Sequence, residues 1–135
     1  MVDIVYMKEV PGLDPDFFLR WLTRVVEEEG KLLGDICLVL GDDEWLRSYN
    51  IQFLNHDYYT DIITFDYSMD DLVSGDLLIS FDRVVDNAIN MEVTENMEFN
   101  RVVVHGVLHL CGYRDKSHDE LLVMRKKEDY YLSLL

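Results

Sequence analysis

Residues 101–112 read RVVVHGVLHLCG, with apolar side chains on almost every side of a helix and two histidines four positions apart. A helix that is apolar nearly all round is buried rather than laid on a surface. Whatever the chain folds into must therefore be built around this segment. The spacing predicts a helix over 94–111, ended by Gly112, a residue suited to the left-handed conformation that closes a helix and reverses the chain.

Four residues turn a helix by about 400°, so His105 and His109 project from one face about 40° apart. A lone histidine in such a run is more often satisfied by backbone carbonyls, but a pair at this spacing can share a metal ion. Gly106 stands where the helical histidine pair of a zinc protease carries its glutamate. Two ligands do not hold a metal, and the chain beyond Gly112 supplies three candidates. Cys111 lies about 200° round the helix from His109 and points away. His118 follows Ser117 in the string SHDE, a capping box that makes it the first residue of the last helix and gives it a structural reason to be there. Asp115 sits on the turn itself. It is the expected third ligand, with His118 the alternative.

The rest of the chain supplies a scaffold for that helix. VDIVYM (2–7), GDICLVLG (34–41), TDIITFDY (60–67) and GDLLISF (75–81) have strand character, the last two joined by the acidic loop SMDDLVS. Helical spacing or helix-start signals mark 14–29, 42–53, 82–90 and 118–132. Strands with several helices predict an α+β fold. At 135 residues the chain is long enough for one core, so a single domain over 1–135 is expected, with about four strands in a mixed sheet and the histidine helix packed centrally against it.

Charge narrows the function. Twelve basic residues stand against 27 acidic ones, a net charge of −15 that argues against nucleic-acid affinity over the whole surface. Between 101 and 127, however, six basic residues face three acidic ones. Alone this would be a set of solvated helix faces; beside a histidine pair it is a candidate anion-binding patch. Cys37 and Cys111 are too few for a disulfide framework, no apolar run reaches membrane-spanning length, and the start MVDIVYMKEV lacks the regions of a signal peptide. A cytoplasmic protein with no membrane partner is expected, and a monomer.

HGVLHLCGYRD (105–115) resembles the signature of the YbeY family, bacterial metal-dependent endoribonucleases, whose usual form is H-G-x-L-H-L-x-G-Y-D-H. TDIITFDY is similar to the family's T-D-V-L-S-F strand and GDLLIS to its G-D-I-x-I-S strand, so that the resemblance spans roughly residues 36–130. It implies one divalent ion, zinc being the expected one, held by His105, His109 and Asp115. It also implies hydrolysis of RNA in ribosomal RNA maturation and ribosome quality control, with ribosomal RNA or ribosome-associated proteins as partners. Two departures bear on this. Aspartate replaces the family's usual third histidine, which should acidify a bound water less and make hard metals more competitive. Leu54 stands where the family usually has an arginine, leaving His56, Arg114 or Lys116 to meet phosphate. Arg114 and Lys116 flank Asp115 and suit that role. Asp61 and Asp76 are candidate general bases. A metalloprotease shares the histidine pair, but Gly106 counts against it. A non-haem iron oxygenase shares the donor types, but its usual barrel does not suit ligands one helical turn apart. A ribosome-associated module with a purely structural metal is the non-enzymatic alternative, and an open coordination position would argue against it.

Overall fold

The computed structural model describes residues 1–135. In chain order the elements are β1 (Val2–Tyr6), α1 (Pro15–Glu28), β2 (Leu32–Gly41), α2 (Asp43–Leu54), β3 (Ile62–Asp66), β4 (Leu72–Ser80), α3 (Phe81–Met91), α4 (Glu95–Leu110) and α5 (His118–Leu132). Each helix begins where a short polar side chain satisfies a free amide of its first turn: Asp14, Asp42, Ser80, Thr94 and Ser117. At Ser117 the full capping box forms, with Glu120 Oε1 accepting from the Ser117 amide at 2.9 Å.

The four strands form one mixed sheet in the order β1-β2-β4-β3, parallel from β1 to β4 and antiparallel between β4 and β3. Here the strand edges differ from those expected. β2 and β4 begin two or three residues earlier, so that Leu72, Val73 and Ser74 leave the acidic loop and join β4. The reason is burial: Val73 pairs with Leu33 and is almost wholly enclosed, which outweighs the turn character of its neighbours.

Side chains alternate across the sheet. Ile36, Leu38, Leu40, Leu77 and Ile79 face a large core shared with α1, α4 and α5. Val39, Ile63, Phe65 and Leu78 face a smaller cluster under α2, centred on Leu46. The histidine helix α4 lies against the large face, with Val103, Val107 and Leu108 fully buried.

Gly106 lets α4 come this close. A Cβ there would sit 2.7 Å from Ile62 Cδ1 on β3 and 3.0 Å from Leu77 Cδ2 on β4. At the end of the helix Gly75 does the same service for Leu110, whose Cδ2 would lie 2.9 Å from an added Cβ. The result is a small α+β domain whose central helix is held flush against the sheet along one side.

Candidate metal centre

Beside the face on which Gly106 meets the sheet, α4 presents His105 and His109, their Nε2 atoms 3.0 Å apart. α4 ends in a Schellman turn: the Gly112 amide donates to His109 O at 3.0 Å and the Tyr113 amide to Leu108 O at 3.1 Å, with Gly112 at φ 107°. That reversal brings Asp115 back beside the histidines. Its Oδ2 lies 3.2 Å from His105 Nε2 and 3.2 Å from His109 Nε2. His105, His109 and Asp115 are the group of side chains whose donor atoms converge closely enough to hold an ion. His118 caps the rim of the same cleft from the first turn of α5 and is outside that group. Cys111 packs against the core instead, and burial pushes its thiol up to about 11.

The outer nitrogens show that the three donors fit a cation. His109 Nδ1 is 2.9 Å from the Tyr113 carbonyl, which can only accept, so this nitrogen carries a proton. His105 Nδ1 likewise donates to Glu128 Oε2 at 2.7 Å. When both rings are neutral, each directs its Nε2 lone pair at the other and at a carboxylate oxygen. Three electron-pair donors so placed repel one another unless positive charge stands among them. Their separations approach the roughly 3.3 Å expected between ligands on a tetrahedral ion with bonds of about 2.0–2.1 Å. Local charge agrees. Burial would depress the His105 pKa, yet the Glu128 hydrogen bond and charge, with Asp115 and Asp61 behind them, hold it above the ordinary imidazole range.

His105 and Asp115 open on a cleft of about 620 Å³ lined from α3, α4, α5 and the residue before β3. Glu128, nearly inaccessible on α5, is gripped there by Arg101 at 3.1 Å and Arg125 at 3.2 Å. The Arg101 Nη1 also reaches Asp129 at 2.9 Å. Asp61 lines the same cleft, where burial raises its pKa against the opposing charge of His105. Asp76, the other candidate base, is on the far face of the sheet, in an aromatic groove under α2, with its Oδ2 accepting from Tyr67 at 3.2 Å. His56 is held in the loop after α2, stacked on Tyr58 with 5.2 Å between ring centres, and is not part of the cleft wall. Arg114 and Lys116 flank Asp115 as exposed side chains.

The basic window of 101–127 therefore does not survive folding as a patch. Arg101, Arg125 and Lys127 are matched by Glu98, Glu128, Asp129 and Glu29 from outside the window, leaving Arg114, Lys116 and Lys126 exposed. A linear charge count cannot see partners a helix turn or a whole element away. Glu128 is the residue that sequence reasoning missed. Its signal was present: Met124, Glu128 and Tyr131 form the buried stripe of α5, and a glutamate at an apolar position must have a partner.

Three protein donors beside an open cleft are the arrangement of a hydrolytic centre, whereas a structural site closes on four. A glutamate at position 106 could not act as a protease base, because that position points into Ile62 and Leu77. Fold and donor set thus define a small metal-dependent hydrolase domain. The family model described as Endoribonuclease YbeY matches residues 13–135. The endoribonuclease YbeY of Flavobacterium johnsoniae is 41% identical over 134 residues, covering 99% of this chain and 96% of that one. That of Porphyromonas gingivalis is 46% identical over 116 residues, covering 86% and 77%. Among solved structures, a solution structure from Thermotoga maritima matches with a TM-score of 0.71 and 25% identity, covering 98% of this chain and 87% of that one. The chain belongs to the YbeY family, and with its donor cluster it is a metal-dependent endoribonuclease with a role in RNA processing. No helix is long and apolar enough to cross a membrane.

Proposed function

We propose that the span 1–135 acts as one domain, a cytoplasmic monomer that cuts ribosomal RNA during maturation and quality control, with His105, His109 and Asp115 holding a single zinc ion. The observation that carries this is the triangle of donor atoms 3.0–3.2 Å apart with both outer imidazole nitrogens already tied. A bound divalent ion supplies Lewis acidity and an acidified water. The chain supplies the rest. Glu128 and the Tyr113 carbonyl fix the tautomers so that both Nε2 atoms face inward. Asp61, half-buried in the cleft wall with a raised pKa, is placed to take and return a proton. Arg114 and Lys116, exposed on either side of Asp115, meet the phosphate backbone, since Arg101 and Arg125 are committed to Glu128. His56 is the remaining candidate for substrate contact, from the loop next to Leu54.

Metal analysis of protein purified without an affinity tag, paired with a cleavage assay on ribosomal RNA, tests this. One ion per chain, loss of that ion in His109→Ala, and cleavage that stops with chelator are expected. Binding of single-stranded RNA should weaken with salt, and Arg114→Ala or Lys116→Ala should lower affinity on all sequences alike. Leu54→Arg should raise turnover. Metal retained by Asp115→Ala but lost by His118→Ala would replace the third ligand. An RNA left intact with the metal fully enclosed by protein would favour the binding module.

A further inference from the structure

We propose that Glu29, at the end of α1, is a positioning residue of the metal centre, acting through Tyr113 on His109 and Asp115. This rests on the assignment of those two residues as ligands. Tyr113 is the pivot. Its carbonyl accepts from His109 Nδ1 at 2.9 Å, its amide closes the Schellman turn on Leu108 at 3.1 Å, and two residues later the chain presents Asp115. Its hydroxyl runs the other way, donating to Glu29 Oε1 at 2.5 Å.

Glu29 is itself over-determined. Its Oε2 accepts from Lys127 Nζ at 3.1 Å and from the Tyr131 hydroxyl, both on α5. Lys127 Nζ also stands 5.5 Å from the centre of the Tyr113 ring, over its face. The carboxylate is only 7% exposed. Burial would raise its pKa, but the two tyrosines and Lys127 together hold it below the ordinary glutamate range, so it stays ionised. One buried charge therefore ties the end of α1, the turn after α4 and the last turns of α5 into a single frame. That frame sets where the Tyr113 carbonyl stands, and with it the His109 ring and the Asp115 turn. Lysine, two tyrosines and a buried carboxylate are more than a core of this size needs to close. A buried charge is a costly way to join three elements, and its bond to Tyr113, whose carbonyl holds the His109 ring, gives it a use.

The test is metal affinity measured well below the unfolding temperature, by competition between the chain and a chelator for Co(II) and Zn(II), with the visible spectrum of the Co(II) form as a record of ligand geometry. Tyr113→Phe keeps the ring and the carbonyl and removes only the link to Glu29. Glu29→Gln keeps the shape and removes the charge. Both are expected to weaken binding by up to about tenfold, the low end of what loss of a ligand's own outer partner brings, and to alter the Co(II) spectrum. A merely structural link would lower the melting temperature of the metal-free chain and leave affinity and spectrum as they were; that result overturns the proposal. Should Glu29→Gln fail to fold, Tyr113→Phe decides alone. His109→Ala separates the two levels. If it still takes up one ion, the ligand assignment fails and the positioning role with it. If it takes up none while Tyr113→Phe binds as the parent does, the ligands stand and Glu29 has no part in placing them.

Discussion

One side of α4 turns Gly106 and Leu110 to the sheet, with Val103 and Val107 sealed in the core beside them. The other turns Glu98, Arg101 and His105 to the cleft, joined by Asp61 from just before β3 and Glu128 from α5. The first side is governed by volume: every atom has a neighbour, and even a missing Cβ is accounted for. The second is governed by charge, and it keeps features that volume alone would remove, such as the Glu98 Oε1 that is buried without a hydrogen-bond partner. The two sides should therefore fail differently. Damage to the sheet side costs folding; damage to the cleft side costs metal and leaves folding nearly intact.

The largest effect is expected from Gly106→Glu, which drives a carboxylate into Ile62 and Leu77 with no partner for its charge. It should destabilise by more than about 4 kcal/mol, enough to unfold a chain of this size, as read by circular dichroism and urea titration. Gly106→Ala is the milder version. Its Cβ meets only the tips of two flexible side chains, a strain of about 1–3 kcal/mol, partly offset by about 1 kcal/mol of helix propensity. Once folded, it should still bind one ion. A Gly106→Glu chain that folds as stably as the parent would mean the helix does not sit against the sheet as described.

Glu128→Gln is expected to act on the other side. Without the carboxylate behind His105 Nδ1, metal affinity should fall about 10–100-fold, measured by chelator competition, while thermal unfolding of the metal-free chain shifts far less than in Gly106→Glu. Equal losses in both measurements would erase the distinction between the two sides of the helix.

The smallest effect belongs to Glu98. Burial, helped by the charge of Asp61, raises its pKa above the ordinary glutamate value. A carboxyl with a raised folded-state pKa favours the fold below its unfolded pKa, and that support is lost as pH rises through the folded pKa. At neutral pH Glu98→Gln should thus be neutral or stabilising, by less than about 1 kcal/mol. The gap between variant and parent should close as the pH is lowered toward the glutamate range. A gap that stays constant from pH 7 to pH 4 would show that Glu98 is not held as a strained charge.

The central burial of α4 was legible from the chain alone, because a helix apolar nearly all round has to be enclosed; that Gly106 is the point of contact with Ile62 and Leu77 was not. The donors were legible too: four-residue spacing puts His105 and His109 on one face, and Gly112 returns the chain at Asp115. What escaped were partners supplied by other elements. Glu128 is 23 positions from His105 and Glu29 is 84 from Tyr113, and no local pattern connects them. The charge window misled for the same reason, since Arg101 and Lys127 find their acids on neighbouring helices. Asp61 and Asp76 looked alike as strand aspartates; Asp76 is within β4 and faces the groove under α2, whereas Asp61 lies in the bend before β3, outside the strand, and lines the cleft.

The order of elements along the chain has a consequence for synthesis. All four strands are complete at Ser80, while His105, His109, Asp115 and Glu128 follow later. A chain emerging from N- to C-terminus can pair its sheet and dock α1 before any donor exists, and the cleft gains its second wall only when α5 is made, a delay on the order of seconds at translation speed. In that order the site is completed last, since Glu128, which fixes the His105 ring, and one wall of the cleft both lie on α5.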